Sequence, residues 1–176
     1  MRSRILSVLL LPAVAVLAGC ATGEVLKVVP ISGGKTITVP LSREGVKPGE
    51  GGGYRVSGAI LLPGTEERTA FYTFGLVTLQ EPALKRIQIV DISDDKESLL
   101  VDDTAPKFTD KHWIGKSDTI SADDPRLQWV FQISLSARVY RFTLTRTDGS
   151  EVSFNHVVFI PPPLKTVIRS KWGEKY

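Results

Sequence analysis

The residues able to do chemistry in this chain are few and widely spaced. His112 follows Asp110 by two positions, and a carboxylate with the imidazole it orients supplies two of the three members of a hydrolytic triad. No GxSxG elbow or comparable nucleophile motif accompanies the pair, so a hydrolase built on His112 is the second reading of this region and not the first. The other histidine, His156, alternates with Phe154 and Val158 on one strand face, and its expected role is a half-buried ring hydrogen-bonded to Tyr140. The acidic pairs Asp94-Asp95, Asp102-Asp103 and Asp123-Asp124 offer hard oxygen ligands of the kind calcium takes, but without the alternating spacing and glycine of a calcium loop they read as turn-forming, solvated carboxylates. Gly51-Gly52-Gly53 lacks the following lysine and helix N-terminus that a phosphate cradle needs. One cysteine and two histidines are too few ligands for a Cys-rich zinc site, and no cofactor is implied.

More informative are Phe108, His112 and Trp113, which stand among Lys107, Asp110, Lys111 and Lys116. Large aromatics in a charged stretch either fold back to cap a core or form a contact patch for a partner, since interfaces favour tryptophan within a polar rim. The C-terminal stretch offers a similar choice. Lys165, Arg169, Lys171 and Lys175, with Trp172 and Tyr176, suit anionic headgroups or a partner, or a frayed end.

The elements that must position these residues are strands. From Glu24 onward, short apolar alternations are punctuated by Gly, Pro and Asp, and no stretch sustains helical spacing over three turns. Strands are expected at Val25 to Val29, Thr36 to Val39, Tyr54 to Leu62, Thr69 to Leu79, Leu84 to Ile92, Ser98 to Val101, Leu127 to Leu135, Val139 to Arg146 and Glu151 to Ile160. The last two form a hairpin whose register follows from loop length. A three-residue loop with Gly149 left-handed pairs Leu144 with Val152, Phe142 with Phe154 and Tyr140 with His156, which keeps the apolar faces together; a two-residue loop mixes them. Seven to nine such strands predict an all-β, antiparallel, immunoglobulin-like sandwich, with Trp129 as its buried tryptophan. Ser42 to Gly53 and Asp102 to Pro125 do not read as strands: the first is expected as a mobile loop or hinge, the second as a long irregular segment where function could sit.

The N-terminus has a different character. Met1 to Arg4 carries two positive charges, and Ile5 to Leu17 is apolar apart from Ser7 and Pro12, the layout of an export signal. As a helix this run is about 20 Å long, short of the ~30 Å a spanning helix must match. Leu17-Ala18-Gly19-Cys20 then resembles the lipobox of bacterial lipoproteins at all four positions. The resemblance implies cleavage between Gly19 and Cys20 and a diacylglycerol on the Cys20 thiol, and Ala21 in place of Asp implies the outer membrane. It also accounts for an unpaired cysteine in an exported chain. Two or three acyl chains hold a protein on a bilayer, whereas one is marginal.

Removal of residues 1–19 takes away two of the 22 basic residues, leaving 20 against 19 acidic ones. Near-neutrality gives no field to steer a polyanion, so nucleic acid is not expected as a partner. The expected organisation is a signal peptide (1–19), a lipidated arm with the Gly-rich loop (20–53), a sandwich (54–164) and a basic tail (165–176). The function this implies is a lipid-anchored, periplasm-facing binding or assembly module of the outer membrane without catalytic activity, held to the membrane through Cys20 and partnered by an envelope protein or peptidoglycan. A surface-exposed ligand-binding lipoprotein and the His112 hydrolase are the alternatives.

Overall fold

The computed structural model describes residues 25–42, 45–66, 69–121, 123–124 and 136–160. Among them are twelve strands and one short 3-10 turn: β1 Val25–Ile31, β2 Lys35–Ser42, β3 Gly45–Val46, β4 Glu50–Gly51, β5 Tyr54–Pro63, β6 Thr69–Thr78, β7 Leu84–Asp91, β8 Ser98–Asp103, β9 His112–Lys116, β10 Ile120–Ser121, β11 Ser136–Arg146 and β12 Glu151–Ile160. All pairings are antiparallel.

Period-two alternation decides which face each strand buries. Along β6, burial switches at every residue, sending Ala70, Tyr72, Phe74 and Leu76 inward. β7 sends in Ile87 and Ile89, and β11 sends in Tyr140, Phe142 and Leu144. These side chains form one core between two sheets, β4-β5-β6 with β9 and β10 on the far edge of β6, and β12-β11-β7-β8. Phe74 joins the sheets through edge-on contacts with Tyr140 at 5.2 Å and Phe142 at 5.9 Å, the arrangement aromatic quadrupoles prefer.

The connections follow the immunoglobulin-like order. Hairpin β5–β6 lies in one sheet, β7–β8 in the other, β9 and β10 return to β6, and β11 crosses again to pair with both β7 and β12. The β11–β12 hairpin has the expected register, with Leu144 opposite Val152, Phe142 opposite Phe154 and Tyr140 opposite His156. Its three-residue loop is closed by the Arg146 N–H donating to the Ser150 carbonyl at 2.8 Å, with Gly149 at φ 89°.

A third layer covers the other face of the β12-β11-β7-β8 sheet. Val29 and Val39 of the β1–β2 hairpin pack with Ile92, Val139 and Val157 in a second core. That sheet is therefore apolar on both faces, unlike an antiparallel sheet with one wet side.

Two expectations need revision, and a third lies outside the described residues. The stretch from Ser42 to Gly53, read as a loop or hinge, contains β3 and β4, and its glycines serve close packing: a Cβ on Gly49 would lie 2.4 Å from the Asn155 carbonyl oxygen, and one on Gly51 2.6 Å from Phe154 Cδ1. The stretch from Asp102 to Pro125 contains β9 and β10, each too short to be read as a strand from periodicity. The buried tryptophan of the described core is Trp113, 2% exposed, while Leu127 to Leu135 with Trp129 falls outside the described residues.

Candidate functional site: the open side of the sandwich

The two long sides of the sandwich differ. On one, β4 packs against β12 through the close glycine contacts. On the other, β8 and β9 end their sheets, and among the described residues no strand pairs with the outer edge of either. A cleft of about 500 Å³ opens between them, lined by Leu99, Asp102, Asp103, Trp113, Ile114 and Lys116, with Asp118 at its rim.

β9 alternates cleanly. Trp113 and Gly115 point inward, while His112, Ile114 and Lys116 point outward. Trp113 lies over Gly115, where a Cβ would come within 2.1 Å of the ring, and its Nε1–H donates to Asp103 Oδ2 at 2.8 Å. This partly buried bond ties β9 to β8 along the cleft. The cleft walls expose two large apolar side chains, Leu99 at 53% and Ile114 at 75%.

The charges around them are largely engaged. Arg86 holds Asp102 in a two-pronged pair with both distances 2.7 Å, and these hydrogen bonds keep the Asp102 carboxyl below its usual range. The Lys116 ammonium sits 3.8 Å over the Phe71 ring. Among the described residues, what the cleft offers a visitor is unpaired strand edge flanked by exposed Leu99 and Ile114, a surface suited to adding an extended segment.

Comparison with protein-family models, curated proteins and solved structures finds no match. The site is therefore read from its own geometry.

The sequence-selected residues fare differently. Phe108 is partly buried against the core, its ring 6.1 Å from Tyr54. Trp113 is a core residue and not an exposed contact; its outward neighbour Ile114 takes that place. His112 is exposed, with Nδ1 2.7 Å from the backbone carbonyl of Asp110, so the short bond is to main chain and not to a carboxylate. Asp110 and Lys111 form a two-residue turn with φ 47° and 66°, closed by reciprocal bonds between Thr109 and His112. Gly19 and Cys20, together with the basic tail, lie outside the described residues.

His156 faces Tyr140 in register, yet its Nδ1 accepts a hydrogen bond from the Gly49 N–H at 3.1 Å. The expected bond to Tyr140 gives way to a backbone partner delivered by the strap before β4. Burial lowers the His156 pKa to about 4. Burial likewise pushes the Tyr140 hydroxyl well above its ordinary range.

Three members of the acidic pairs have side-chain partners in the fold. Asp94 joins Asp91 in holding Arg138, Asp102 binds Arg86, and Asp103 binds Trp113 and the Ala105 N–H. Among the described residues, no cluster of three or more His, Cys, Asp or Glu could hold a metal ion. Gly52 and Gly53, at φ 59° and 87°, make the tight turn between β4 and β5 instead of a phosphate cradle. A second cleft of about 550 Å³ lies beside this turn, with Thr78 Oγ1 already donating to the Gly53 carbonyl at 3.0 Å.

One feature escaped sequence reading altogether. Arg138 and Asp91 form a buried ion pair 2.5 Å apart at one end of the core. The legible signal was phase: Arg138 shares its strand face with Tyr140, Phe142 and Leu144, and Asp91 shares its own with Ile87 and Ile89.

Proposed function

We propose that this chain is a lipid-anchored envelope protein, tethered through Cys20 and facing the periplasm from the outer membrane, and that it works as a binding module receiving an extended segment of a partner protein along β8 and β9. The anchor is supported by Leu17-Ala18-Gly19-Cys20 behind a charged and then apolar leader. The observation that carries the binding role is the open side of the sandwich, where β8 and β9, unpaired on their outer edges among the described residues, frame a cleft with Leu99 and Ile114 exposed. Edge strands left unguarded invite pairing, and main-chain hydrogen bonds to an added strand supply affinity while flanking side chains supply selectivity.

The test is a photo-crosslinking residue placed in living cells at Ile114, at Leu99, or at Ile60 on the far face of β5, with palmitate labelling run alongside. The expected result is palmitate incorporation that depends on Cys20, and one shared adduct from positions 114 and 99 that is absent from position 60. Adducts equally abundant at all three positions, or none, would remove the binding role. An unlabelled chain would remove the anchor.

A further inference from the structure

The β1–β2 hairpin buries one face on the sandwich and turns the other outward. By strand alternation and register, the outward face carries Leu26, Val28 and Pro30 opposite Pro40, Thr38 and Thr36. Leu26 is 63% exposed and Val28 65%. No charged residue stands on this face, in a chain where charged residues make up 23%. The hairpin's only charges are Lys27 and Lys35, both exposed and both positive. A strand face turned to water ordinarily alternates polar residues against the buried ones, so an uncharged face of this kind calls for a cover.

Chain length says what the cover is. Five residue steps separate Cys20 from Val25, which at full extension span no more than about 17 Å. An acylated Cys20 at the headgroup level therefore keeps the start of β1 within that distance of the membrane. We propose that the outward face of the β1–β2 hairpin lies on the bilayer to which Cys20 is joined, with Leu26, Val28 and Pro30 in the interface and Thr36 and Thr38 beside them at the headgroup level. The inference rests on the lipidation proposed above. Its energetic logic is that of an interfacial element: modest apolar burial added to an acyl anchor that already holds the hairpin beside the membrane. The layers set the geometry, since packed sheets lie about 10 Å apart and the Ile60 face of the outer sheet then stands roughly 20 Å further from the lipid.

The test uses the full lipidated protein in vesicles of phosphatidylethanolamine and phosphatidylglycerol. An environment-sensitive fluorophore is attached through Val28→Cys or, as control, Ile60→Cys; the thiol of Cys20 is occupied by lipid. Nitroxide-bearing lipids should quench the label at position 28 severalfold more than the label at position 60. Adding Leu26→Glu to the position-28 protein should bring its quenching down toward the control, with palmitate incorporation and the β-sheet circular dichroism unchanged. Palmitate incorporation with equal, weak quenching at both positions would overturn the inference while leaving the anchor standing. Absence of palmitate would overturn the anchor and the inference together. Shielding of position 28 in native envelopes but not on vesicles would assign the face to a protein instead and equally overturn it.

Discussion

Lowering the pH from 7 to 4.5 should weaken this fold through one side chain, His156. In the folded protein its pKa is about 4, because burial penalises the imidazolium, and its Nδ1 must stay unprotonated to accept the Gly49 N–H. In the unfolded chain the ring returns to about 6.5. The sign follows directly: the unfolded state binds the proton first as pH falls, so this contribution is complete above about 6.5 and is lost on the way down to about 4. At about 1.36 kcal/mol per tenfold difference the whole effect is about 3 kcal/mol, of which about 2 kcal/mol disappears between pH 6.5 and 4.5. Glu97, Asp102 and Asp148 have pKa values lowered from carboxylate norms, so their linked losses come at lower pH. Urea denaturation at half-unit pH intervals measures the loss, and imidazole NMR titration assigns it. His156→Gln, which keeps an acceptor for Gly49 but cannot titrate in this range, should show a nearly flat profile over the same interval. A wild-type profile no steeper than that of the variant, or a His156 ring titrating near 6.5, would refute the reasoning.

Arg138→Ala leaves the buried Asp91 carboxylate without its cation, only Ser93 still donating to it, and should cost about 3–5 kcal/mol by chemical denaturation, whereas Arg138→Met combined with Asp91→Asn, which is uncharged and keeps an acceptor for Ser93, should recover most of that loss. Gly49→Ala sets a Cβ 2.4 Å from a backbone oxygen that cannot swing aside, and should cost about 1–3 kcal/mol in the same assay while raising the His156 pKa as the strap lifts. Lys111→Gly relieves a left-handed residue in the Asp110-Lys111 turn and should raise stability by about 1 kcal/mol, read as a higher denaturation midpoint. Phe74→Ala removes the ring that touches both Tyr140 and Phe142 and should cost about 3–5 kcal/mol.

Strand positions with strong alternation were readable because one face meets the core and the other does not. The β11–β12 register could be worked out from the loop alone, since a slip of one residue would turn Phe142 and Leu144 away from the core. β9 and β10 were not readable: His112–Lys116 includes Gly115 and five residues in all, too short a window for periodicity, and what makes it a strand is pairing with β6. For the same reason Trp113 stayed open between capping the core and forming a contact patch, and it is its neighbours in space, Asp103 and Gly115, that place it in the core. The run Gly51-Gly52-Gly53 signalled freedom in sequence but proximity in structure, because composition cannot distinguish a glycine that must bend from one that must make room. The open cleft depends on which two strands end their sheets, a property of topology that no local pattern carries.

The double-sided burial of the β12-β11-β7-β8 sheet bears on where this protein can be cut. A chain shortened to begin at Tyr54 retains every strand of β5 to β12, yet strips the cover from Ile92, Val139 and Val157 and the strap from the edge beside Phe154. Such a fragment would present a wet aliphatic plate and an unguarded border at once, the two ingredients of self-association. The residues ahead of Tyr54 are, from Val25 onward, part of the shell that keeps the sandwich apart from its own copies.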